Sequence, residues 1–161
     1  MKLPKSARIH HRSLQERLFN EGSKLHEFPL RLTWNSLSDE ELRKNFRDRI
    51  PSLIGPVQVL VSVPKKKRRK AVDRALMRRR IREAFRLNRA PLVQTVCQLE
   101  GVRTLSVGFV FMKEANVTFG EIEEKMRKLL DRLEEKIKEK YTGGDKADDE
   151  ESTVEATDSS D

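Results

Sequence analysis

The chain of 161 residues carries 34 lysines and arginines against 26 acids, with 37% charged and only 36% apolar residues. That composition leaves room for one domain and too little apolar material for a large enzyme core. One cysteine excludes an intramolecular disulfide and a Cys-based zinc site, three histidines (His10, His11, His26) without ligand-like spacing do not replace one, and no apolar run approaches the ~20 residues of a membrane span or forms a signal core, so a soluble, cytoplasmic protein is expected.

Residues 8–20 are predicted as a short helix with Leu14, Leu18 and Phe19 on one face, ended by Gly22 in the left-handed conformation. Leu30, Leu32 and Trp34 alternate with Arg31 and Thr33, the period of a half-buried strand. Residues 35–56 read as an excursion with a small helix, opened by the capping box Ser38 to Glu41 and closed by Pro51 and Pro56. Val57, Val59, Val61 and Val63 mark a second strand, which Pro64 ends.

Residues 71–88 have helical period. Met77, Ile81, Ala84 and Phe85 lie on one side, and Arg78, Arg79, Arg82, Arg86 and Arg89 on an adjoining face. Pro91 is read as the stop. Residues 104–112 read as a buried strand with Leu105, Val107, Phe109 and Phe111 on one face, and Cys97 before it as a small buried hydrophobe. Thr118 and Glu121 open a last helix whose stripe, Ile122, Met126, Leu129, Leu130, Leu133, Ile137 and Tyr141, is assigned to the core. Residues 1–142 form the expected domain, and the acidic, Ser/Thr-rich residues 143–161 an expected disordered tail of net charge −7.

Residues 65–89 collect thirteen cations (Lys65, Lys66, Lys67, Arg68, Arg69, Lys70, Arg74, Arg78, Arg79, Arg80, Arg82, Arg86, Arg89) against Asp73 and Glu83, or +11 in 25 residues. Such density repels itself unless a polyanion neutralises it, and nucleic acid is the strongest common one. Arginine favours bidentate phosphate contact and stacking, which suits structured RNA. The pattern alone does not separate RNA from DNA, an acidic membrane or a calmodulin-like groove.

The run from Lys70 through Ala71, Val72, Asp73, Arg74, Ala75, Leu76, Met77, Arg78, Arg79, Arg80, Ile81, Arg82, Glu83, Ala84 and Phe85 to Arg86 resembles the signature of the bacterial ribonuclease P protein component, A-V-x-R-N-R-x-x-K-R-x-x-R-E-x-F/Y, with one residue fewer between Leu76 and Arg78 than that pattern. The order of elements from about residue 8 to 141 is similar too; the tail and residues 35–56 lie outside the common pattern. Where the family has R-N-R this chain has Arg74, Ala75 and Leu76, losing an amide and a guanidinium; Arg68, Arg69 and Arg80 are candidates to compensate.

The resemblance implies an α+β single domain, an α/β sandwich with a mixed sheet of about four strands and the arginine-rich helix in a left-handed crossover, as in certain ribosomal domains. It implies a ribonucleoprotein that removes the 5′ leader of precursor tRNA, in which the RNA subunit performs endonucleolytic chemistry with Mg²⁺ and the protein is not catalytic by itself. RNA binding carries over to Lys65, Lys66, Lys67, Arg68, Arg69, Lys70, Arg74, Arg78, Arg79, Arg82 and Arg86. The leader cleft between sheet and first helix carries over to Phe19, Leu32, Trp34, Ser62 and Lys65, with Phe19 and Trp34 as stacking platforms worth roughly 1–3 kcal/mol per base. The implied partners are the ribonuclease P RNA and precursor tRNA, with no membrane and no obligate protein partner.

No clustered carboxylates, nucleophile elbow, P-loop or H-E-x-x-H run equips the chain as a nuclease alone, and no metal held by protein side chains is expected. The alternative is a ribosomal or ribosome-assembly RNA-binding protein.

Overall fold

A computed structural model describes residues 3–47, 49–51 and 54–143. The expected acidic tail, from residue 144 onward, lies outside the described residues.

Four strands, β1 (Ser23–Glu27), β2 (Leu30–Leu37), β3 (Val57–Ser62) and β4 (Thr104–Phe111), form one mixed sheet of order β1-β2-β4-β3. β1 with β2 and β2 with β4 are antiparallel; β3 with β4 is parallel. The first hairpin turns at Phe28 and Pro29, joined by a cis peptide bond. A parallel pair needs a long crossover, and α3 (Ala71–Asn88) and α4 (Ala90–Gln98) supply it. Three further helices, α1 (Arg12–Glu21), α2 (Asp39–Asn45) and α5 (Phe119–Lys138), complete the α+β architecture. Among the described residues no helix is long and apolar enough to cross a membrane.

The two-residue period of the strands sorts their side chains onto two faces. Leu30, Leu32 and Trp34 of β2, the odd-numbered valines of β3, and Leu105, Val107, Phe109 and Phe111 of β4 face the main core. There they meet Met77, Ile81 and Phe85 of α3 and the stripe of α5 from Ile122 to Ile137. The Phe85 and Phe109 rings sit 5.8 Å apart at 60°, a tilted pair that adds to ~1.5–3 kcal/mol of burial per side chain. The opposite face carries a second, smaller core in which Leu14 and Leu18 of α1 meet Leu37, Leu42 and Ile54.

Several local expectations are corrected. Gly22 ends α1 in extended backbone, φ −74° and ψ 150°, instead of the left-handed region. Its lack of a side chain serves close approach: a Cβ there would lie 2.3 Å from the Leu18 carbonyl oxygen and 2.6 Å from Thr33 Cγ2. Pro91 does not stop the helical chain but sits in the first turn of α4, where a missing N–H costs nothing. That amphipathic helix buries Leu92, Thr95 and Val96 and leaves Cys97 exposed, not buried. Strand β2 runs to Leu37, so the excursion begins at Ser38, where the capping box closes through Glu41 N–H to Ser38 Oγ (3.2 Å) and Ser38 N–H to Glu41 Oε1 (3.1 Å).

Candidate nucleic-acid interface

Helix α3 is seated by its apolar side and presents the other side outward. Met77, Ile81, Ala84 and Phe85 are fully buried, which fixes the azimuth of every arginine between them. The basic residues then divide by what they touch. Arg78, Arg79 and Arg82 have no hydrogen-bond or ion-pair partner among the described residues. Arg82 feels Arg8 and Arg78: desolvation first, then these two like charges, lower its pKa, although a guanidinium stays protonated at any ordinary pH. Arg8 comes from the segment before α1, whose backbone bridges to Val59, and its Nε is buried without a partner.

Other members of the predicted set are engaged inside the protein. Arg86 donates through Nε and Nη2 to the two carboxylate oxygens of Glu83 at 2.5 and 2.8 Å, a contact that holds Glu83 below the ordinary carboxylate range. Arg74 Nη1 donates to the carbonyls of Arg68 (3.1 Å) and Arg69 (2.7 Å). Arg68 pairs with Asp73 at 3.0 Å. Arg80, a candidate to compensate for the lost R-N-R groups, donates to the Val117 carbonyl ahead of α5. Thus Arg68, Arg74 and Arg80 organise backbone, while Arg78, Arg79 and Arg82 make no such contact among the described residues. Leu76 packs against the edge of the main core, as does Phe119. Together with Leu3 they line a groove of about 750 Å³ that Arg8, Arg79 and Arg82 also line. An apolar contact therefore stands where the family signature has its second guanidinium.

The cleft residues are sorted by strand register. Phe19, 40% exposed, lies on the α1 side of the sheet, where a Cβ added to Gly108 would come 3.4 Å from its Cζ. Gly108 pairs with Thr33 and with Leu60, so that face belongs to Arg31, Thr33, Leu60, Ser62 and Val110. Leu32 and Trp34 point the other way, into the main core, at 0% and 5% exposure. This corrects their assignment to the cleft: in a strand, a shift of one residue exchanges the faces. Trp34 is instead covered by Lys140, whose Nζ stands 5.6 Å from the ring centroid. Arg31 and Val110, outside the predicted set, share the face of Ser62. Register aligns Ser62, Val110 and Arg31 in one row across β3, β4 and β2, and the buried Arg31 Nε lacks a partner. Phe19, Ser62 and Arg31 thus lie on one face, with exposed Lys65 just beyond the end of β3.

No group of three or more His, Cys, Asp or Glu side chains suited to a metal ion occurs among the described residues.

A mixed sheet covered by an arginine helix on one side and left partly open on the other defines a basic α+β domain. The model of the Ribonuclease P family matches residues 3–134. Ribonuclease P protein components from two Porphyromonas gingivalis strains, W83 and ATCC 33277, are each 30% identical over 131 residues, covering 81% of this chain and 85% of theirs. Among solved structures, the Staphylococcus aureus RNase P protein superposes with a TM-score of 0.55 at 17% identity, over 80% of this chain and 96% of that one. The Thermotoga maritima RNase P protein gives 0.54 at 19%, over 78% and 96%. The chain belongs to the ribonuclease P protein family.

Proposed function

We propose that this chain is the protein subunit of ribonuclease P, binding the catalytic RNA through the outer face of α3 and the 5′ leader of precursor tRNA across the sheet face beside α1. The observation that carries this reading is the row of partnerless guanidiniums, Arg78, Arg79 and Arg82, on a helix whose opposite side is locked into the core. Mg²⁺ acts through the RNA, which performs the hydrolysis; the protein supplies affinity and placement. Phe19 offers a stacking surface, while Arg31, Ser62 and Lys65 offer donors to a single strand running over the open row. The two RNA surfaces lie on opposite sides of one sheet, so the protein couples a fixed RNA partner to a variable substrate end.

Adding the chain to ribonuclease P RNA at low Mg²⁺ is expected to stimulate cleavage of precursor tRNA. Affinity should rise as the leader is lengthened one nucleotide at a time, then level off. Phe19→Ala is expected to remove roughly 1–3 kcal/mol of that leader-dependent gain, about 5- to 150-fold, without changing affinity for leaderless tRNA. Absence of stimulation would favour a ribosomal or ribosome-assembly role instead.

A further inference from the structure

The loop between β3 and α3 carries Lys65, Lys66, Lys67, Arg69 and Lys70, whose side chains have no partner among the described residues. Its backbone is nevertheless held. The N–H groups of Lys67 and Arg68 both donate to the Pro64 carbonyl, at 3.0 and 3.1 Å, and Arg74 ties down the Arg68 and Arg69 carbonyls from one turn into α3. The Arg68 side chain turns inward. Its Nη2 meets Asp73 Oδ2 at 3.0 Å, and its Nη1 donates to the Glu114 carbonyl at 3.0 Å. The other carboxylate oxygen, Asp73 Oδ1, accepts from Asn116 Nδ2 at 3.2 Å. One acid in the first turn of α3 therefore joins three segments: the basic loop, the helix start and the loop after β4. The pair is only 18% and 22% exposed. A recess of about 440 Å³, lined by Lys66, Lys67, Arg69, Lys70 and the Arg68–Asp73 pair, opens at this junction.

Charge counting alone says that an acid inside a basic surface weakens attraction to a polyanion. The connectivity says the reverse, because a loop already held in its binding conformation loses less freedom when it binds. We propose that Asp73 is a positioning residue that raises affinity for RNA by latching residues 65–70 to α3 and to Glu114 and Asn116, so that the loop's cations meet phosphates as a set. This rests on the reading that α3 and its preceding loop face the RNA subunit.

The two views differ in sign. Binding of the full chain to ribonuclease P RNA, followed over a salt series, is expected to weaken roughly tenfold for Asp73→Asn. Its salt dependence should become shallower, because fewer phosphates are neutralised together. Asp73→Glu, which keeps the charge, should recover most of the affinity. Asn116→Ala leaves the charge untouched and should show a smaller loss of the same sign. A purely structural loss would lower the amount of active protein without altering the salt slope. Equal or tighter binding by Asp73→Asn would overturn the proposal; should that variant fail to fold, unchanged or tighter binding by Asn116→Ala would do so. Arg78→Ala/Arg82→Ala in the same series separates the two levels: if this pair has no effect, the assignment of α3 to RNA fails, whereas if only the Asp73 and Asn116 variants are silent, the latch alone fails.

Discussion

Replacing Arg78 and Arg82 together with alanine is expected to lower affinity for ribonuclease P RNA about a hundredfold at physiological salt, from two charge-assisted contacts of ~1.4 kcal/mol or more each. The slope of affinity against salt should become shallower by about two contacts. Neither arginine has a partner among the described residues, and desolvation by burial, followed by like charge from Arg8 and Arg78, already disfavours the charged form of Arg82. Their removal therefore takes no hydrogen bond or ion pair from the folded protein and relieves repulsion, so stability should stay close to that of the parent while binding falls. Lysine at both positions should restore the salt slope but not the full affinity, since an ammonium lacks the planar fork of a guanidinium. Filter binding over a salt series, with urea unfolding of each variant, checks both halves.

Phe85→Ala has the opposite signature. This side chain is fully buried beneath α3 and packs on Phe109 in the middle of the sheet. Truncation leaves a cavity and is expected to cost about 3–5 kcal/mol, a large share of the ~5–15 kcal/mol available to a domain. RNA affinity should fall with it, because the helix that orders the arginines loses its seat, and a saturating amount of RNA should recover part of the lost unfolding midpoint. Leu87→Ala, two residues further along the same helix but 52% exposed, should stay within ~0.5 kcal/mol of the parent protein. Urea denaturation of the two variants gives the comparison directly.

The helices with long apolar stripes, α3 and α5, were legible in the sequence because periodicity reports a buried face without any knowledge of what buries it. β3 and β4 were legible for the same reason. β1 was not: of its five residues only Leu25 is buried, and Lys24, His26 and Glu27 give no alternation that stands out. α4 was hidden by Pro91, which the start of a helix tolerates as readily as its end.

The site was legible in part. The arginine face of α3 follows from spacing alone. Which arginines are spent within the fold does not: Arg68 and Arg80 donate to the carbonyls of Glu114 and Val117, about forty residues away in sequence. For the cleft, alternation correctly separated Leu32 and Trp34 from Arg31 and Thr33. It could not say which set meets α1. That depends on the register opposing Thr33 to Gly108, the glycine that lets Leu18 and Phe19 approach the sheet. Arg31 and Val110 become visible only when β2, β3 and β4 are aligned.

The central claim, that the outer face of α3 lies against RNA, is tested most directly by local cleavage from a tethered hydroxyl-radical source. In a Cys97→Ser background, iron–EDTA is attached to cysteine introduced at Val72, exposed on α3, or at Lys44, exposed on α2 across the sheet. The expected result is strong, localised strand scission in ribonuclease P RNA from position 72 and background scission from position 44. Scission from position 44 with none from position 72 would contradict the account.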